Sequence, residues 1–128
     1  MKSYTDITQS KKLIELGIDV NTADMWWNIE KHYPEFVKTY REHLGEQISP
    51  IPVWSLAALI ETLPLGIDIH NITDGHKIYY YVEIYTKEIY IKLKRMNKPE
   101  ICLSTERHEN LVDACVEMIV KLKERNLL

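Results

Sequence analysis

The sequence has little of what usually builds a recognisable active site: four glycines, two cysteines and a single phenylalanine in 128 residues. Phosphate-cradling loops need clustered glycines, whereas Gly17, Gly45, Gly66 and Gly75 are scattered and each suits a cap or a turn, which disfavours a nucleotide-dependent enzyme. Cys102 and Cys115 form no C-x-x-C pair and have no histidine at ligand spacing, so they read as reduced packing residues. Neither G-x-S-x-G nor Ser-x-x-Lys is present, and Ser55 falls inside an expected helix between Trp54 and Leu56, where a hydroxyl bonds back to the preceding turn. The histidines at 32, 43, 70, 76 and 108 make no H-x-x-x-H pair. No catalytic residue, metal site or cofactor is expected from these patterns. The longest uncharged run, Gln47 to Ile60, is shorter than a membrane span and interrupted by prolines, and Met1 to Asp6 has no apolar leader segment. The expectation is a soluble, cytoplasmic protein without membrane contact.

What is present is the composition of one globular domain, 45 % hydrophobic and 27 % charged. Sixteen basic against nineteen acidic residues give a net charge of −3, so no global field draws the chain to nucleic acid. We expect a single domain over 1–128, with a helical part at 1–66, an antiparallel sheet at 67–95 and a C-terminal helix at 108–126.

The pattern predicts a helix from Ser10 to a left-handed cap at Gly17, with Ile18 continuing the buried contact. After Thr22 a second helix competes with loop or extended structure, because Trp26 and Trp27 are bulky and the segment is short. Pro34 suits the first turn of a further helix carrying Phe36, Val37, Tyr40 and Leu44 on one face. Val53 to Leu63 reads as the most apolar helix. From Ile67 the period changes to two. Asp74-Gly75 signals a hairpin that pairs Thr73 with His76, Asn71 with Ile78, Ile69 with Tyr80 and Ile67 with Val82. A second reversal at Thr86-Lys87 pairs Val82 with Ile91 and Tyr80 with Leu93. Asn110 caps a last helix with an apolar stripe of Leu111, Val112, Cys115, Met118, Ile119 and Leu122. The expected class is therefore α+β, in the order α-(α)-α-α-β-β-β-α: a three-stranded antiparallel meander packed by its Ile/Val/Leu face on the Trp54 and Leu111 helices.

Two places on the sheet carry chemistry worth testing. Asp68 and His70 alternate onto one face of a strand, where a carboxylate can orient an imidazole for a hydrolase, although solvated polar residues on an edge strand explain them as well. The second face of the sheet presents Tyr79, Tyr81 and Tyr90 with Lys92 and Lys94. The expected pairing sets Tyr79 beside Lys94 and Tyr81 beside Lys92. Such rings anchor a protein partner or a second copy of the chain, or stack the bases of a single-stranded nucleic acid. Strand propensity of tyrosine, or cover by the N-terminal helices, explains them without any ligand. Protein contact or self-association, through this face or through the strand at 67–72, is the leading expectation, with nucleic acid the alternative.

From 54 to 125 the element order resembles a double-stranded-RNA-binding domain. The stretch Glu106-Arg107-His108-Glu109-Asn110 stands where that family has a lysine-rich segment, so RNA binding is not carried over. The pieces Ser10-Lys11-Lys12-Leu13, Thr22-Ala23-Asp24-Met25, Pro52-Val53-Trp54-Ser55-Leu56 and Val112-Asp113-Ala114-Cys115-Val116-Glu117-Met118 resemble small uncharacterised proteins of prophages and mobile elements in anaerobic gut bacteria. That resemblance implies a genetic context and no activity, cofactor or catalytic residue.

Overall fold

The computed structural model describes residues 2–28, 33–36, 51–64, 67–84 and 103–128. The fold is α+β, and the chain forms two compact units, Met1–Thr62 and Leu63–Leu128.

In the first unit, helix α1 (Ile7–Glu15) starts earlier than its apolar pattern suggests, because Asp6 caps it reciprocally with Gln9. Its end follows the expectation. Gly17 has φ +85°, and the Gly17 and Ile18 amides return to the carbonyls of Ile14 and Leu13, so that Ile18 is buried with Leu13. A 3-10 turn (Val20–Thr22) leads into β1 (Met25–Asn28).

The part read as mainly helical contains a three-stranded antiparallel sheet in the order β2-β1-β3, with β2 at Tyr33–Phe36 and β3 at Ile51–Val53; β1 takes the extended alternative weighed for the segment after Thr22. Pro34, read as a helix start, pairs instead with Trp27, and Pro52 pairs with Trp26. Both prolines sit on outer strands, where a missing N–H need not interrupt a ladder. The Val37, Tyr40 and Leu44 part of the expected helix lies outside the described residues. Helix α2 (Leu56–Thr62) begins three residues later than expected, because Val53 belongs to β3 and Ser55 caps the helix through a bond from the Ala58 amide.

Buried Trp54 anchors this unit. Its indole N–H donates to the Thr22 hydroxyl at 2.8 Å. Its backbone N–H donates to Thr5 Oγ1 at 3.1 Å, and its carbonyl accepts from the Thr5 amide at 2.9 Å.

In the second unit, β4 (Ile67–Asp74), β5 (Lys77–Ile84) and β6 (Leu103–Ser104) form an antiparallel meander. The hairpin turns on Gly75-His76 rather than Asp74-Gly75, so Asp74 faces Lys77 and Ile69 faces Val82. Gly75 has φ +64°, as a type II′ turn requires of its first central residue. Because the slip changes partners by two, every side chain keeps the face that alternation assigned to it.

The third strand is a correction. The edge of β5 expected to receive Ile91 and Leu93 is taken by Leu103, Ser104, Thr105 and His108; residues 88–94 themselves lie outside the described ones. Helix α3 (Leu111–Glu124), capped by Asn110, packs on β5 and buries five of the six stripe residues, Val112, Cys115, Met118, Ile119 and Leu122, while Leu111 in its first turn is only half-buried. Asn126, with φ 55°, closes it with the same two backbone bonds as α1, from Asn126 to Lys123 and from Leu127 to Leu122. No helix among the described residues is long and apolar enough to cross a membrane.

Cys115 is fully buried and unbridged, and burial pushes its thiol up from 9.0 to about 11. Below both values this leaves about 100-fold less thiolate than an ordinary cysteine has. Iodoacetamide at pH 8 should therefore leave Cys115 unmodified in the folded protein and modify it in urea, as read by peptide mass. Equal rates in the two states would contradict the packing described.

Candidate functional site

The direction of the backbone groups along the sheet follows from one exchange. Tyr80 and His108 donate their amides to each other's carbonyls at 2.7 and 2.8 Å, so even-numbered residues of β5 bond toward β6 and odd-numbered ones toward β4. With Tyr81 opposite His70 and Tyr79 opposite Ile72, the even-numbered residues of β4 bond inward. Ile67, Ile69, Asn71 and Thr73 consequently aim their N–H and C=O groups away from β5. No described residue pairs with that side of β4. The outer edge also carries Ile69, 43 % exposed, with Ile78, 50 % exposed, on the same face.

The other face holds the tyrosines. Tyr79 and Tyr81 are half-buried, and the Tyr81 ring stacks on His70 with centroids 4.7 Å apart and planes 12° from parallel. Beyond it an open cleft of about 240 Å³ is lined by Ile72, Tyr81 and the segment Ser104–Arg107. Of the five expected binding residues the structure describes Tyr79 and Tyr81, which share this face; Tyr90, Lys92 and Lys94 lie outside the described residues. Lys77, on the same face, is held by Glu109 at 3.2 Å, a bond that raises its pKa.

Asp68 and His70 share a face as alternation requires, yet they do not form a pair. His70 Nε2 lies 3.4 Å from Glu83 Oε2, while Asp68 is exposed directly opposite Glu83. Neither residue lines the cleft. Ser55 is engaged by Asp24, which accepts from both its hydroxyl and its amide, with no histidine in the arrangement. Among the described residues no group of three or more His, Cys, Asp or Glu is placed to hold a metal ion.

One polar cluster escaped the sequence reading. Glu117 of α3 accepts from the Glu106 amide at 2.8 Å, faces His108 Nε2 at 3.0 Å and lies 3.4 Å from Lys121, which donates to the Ser104 carbonyl at 2.8 Å. Burial alone would push the Glu117 carboxyl up. The Glu106 amide, His108 and Lys121 together outweigh it and hold the group below its ordinary value. The spacing of Glu117 and Lys121, one helical turn apart, was the visible signal; the segment at 104–108 that they fasten was not.

The fold and this edge define a small α+β protein with a sheet margin that no described residue fills. Comparison with protein-family models, with curated proteins and with solved structures finds no match.

Proposed function

We propose that the protein is a small non-enzymatic interaction protein of mobile-element origin that takes up a partner strand along β4. The observation that carries this reading is the row of outward backbone groups on Ile67, Ile69, Asn71 and Thr73, beside an exposed isoleucine and with no proline or lysine in the strand to block pairing. Strand addition supplies main-chain hydrogen bonds without any preformed pocket. The tyrosine face is better suited to protein than to single-stranded nucleic acid. Its described part sets Asp68, Glu83 and Glu106 against Arg107 and a Lys77 already held by Glu109, so the balance of charge there does not favour phosphate.

Asn71→Pro tests the reading, because it removes an outward N–H and leaves the β4–β5 bonds untouched. Proteins retained by the immobilised wild-type chain from an extract of its own cells should be lost with Asn71→Pro, while the circular dichroism of the two chains agrees. Retention of the same proteins by the variant would defeat strand addition.

A further inference from the structure

We infer that the strand taken up by β4 is β4 of a second copy, in the antiparallel register centred on Ile69. This rests on the strand-addition reading and names its partner. Antiparallel self-pairing about a two-fold axis normal to the sheet opposes residues of like parity, so each register is centred on one residue facing its own copy.

Charge and exposure select among the registers. Centring on Asp68 sets Asp68 against itself, and centring on Asn71 sets Asp68 against Asp74; both oppose like charges. Centring on His70 faces two imidazoles and leaves Asp68 against Ile72. Centring on Ile72 opposes His70 with Asp74 but gives the exposed Ile69 only Gly75. Centring on Ile69 covers that isoleucine with its own copy and opposes Asp68 with the second copy's His70 twice, once on each side of the axis.

The single chain carries a conflict that this register relieves. Asp68 faces Glu83 across β4 and β5, a like-charge pair in directly opposed positions. An imidazole arriving on the free side of Asp68 gives that carboxylate a hydrogen-bond donor. Ile69 and its copy would exchange both backbone bonds with their Cα atoms about 5.5 Å apart, a separation that a disulfide spans.

The experiment uses the full chain with Cys102→Ser. Oxidised Ile69→Cys should give a cross-linked dimer of twice the 15.1 kDa chain mass, whereas Asn71→Cys and His70→Cys should not. Asp68→Lys supplies a second readout: its dimer dissociation constant should rise roughly tenfold, since two symmetry-related pairs lose their attraction at once. The isolated chain of that variant should melt higher, because the introduced ammonium then faces Glu83. Cross-linking through Asn71→Cys or His70→Cys in place of Ile69→Cys overturns the register. A monomeric mass at all concentrations overturns self-pairing, and strand addition then stands or falls separately on whether Asn71→Pro releases a different protein.

Discussion

Trp54→Ala is expected to cost the first unit about 3–5 kcal/mol, the range for deleting a fully buried indole that its surroundings cannot refill. The residue joins three segments far apart in sequence: the strand-like start at Thr5, the 3-10 turn at Thr22 and β3. Volume and polar terms separate by substitution. Trp54→Phe keeps most of the bulk but leaves the Thr22 hydroxyl without its indole donor, so it should cost less than the alanine change. Thr5→Val keeps the shape of Thr5 but strips the acceptor from the buried Trp54 amide and the partner from Ser10 Oγ, at about 1–3 kcal/mol. The three tryptophans, Trp26, Trp27 and Trp54, all belong to the first unit, so indole fluorescence in urea reports its unfolding. Less than about 1 kcal/mol for Trp54→Ala would mean that the site collapses around the smaller side chain.

Acidification should weaken the second unit through Glu117. Its folded-state pKa is depressed below the ordinary 4.5, so its contribution is fully present above that value and is lost as pH falls through the lower folded value. Glu117→Gln removes the charge that the Glu106 amide, His108 and Lys121 all address, and should lower stability at neutral pH by on the order of 1–3 kcal/mol. The variant should also flatten the acid limb. Amide exchange at Glu106, read from pH 7 downward, follows this bond directly. A variant that loses stability in parallel with the wild type down to pH 3 would show that other carboxylates dominate the acid response.

These two anchors show why some of the fold was legible and some was not. Helix α3 was readable because seven buried positions repeat over fourteen residues behind an asparagine cap, a signal long enough to stand without tertiary help. Alternation similarly gave the faces of β4 and β5 their correct sides, even with the turn placed one residue early. The four-residue strands of the first unit are too short to display a period, and Pro34 is equally at home at a helix start or on an outer strand. Strand β6 is only two residues long and owes its place to Thr105, whose hydroxyl accepts the Val82 amide and whose own amide reaches the Val82 carbonyl.

The candidate site divides in the same way. Asp68 and His70 were recognisable as neighbours on one face, but which carboxylate lies against the imidazole depends on register, and the register brings Glu83. That β4 is an edge strand was foreseeable from a linear meander; that its odd-numbered residues turn their backbone groups outward, where no described residue pairs with them, was not, because this follows from the bond exchange between Tyr80 and His108 across β5. The sequence by itself determined the class, the last helix, the two faces of the hairpin and the burial of Cys115, all of which depend on periodicity within one element. Tertiary structure alone decided the first sheet, the partner of β5, the Glu117 cluster and the outward row on β4. Each of these is a pairing between distant segments, and pairing energy is set by geometry that no local pattern encodes.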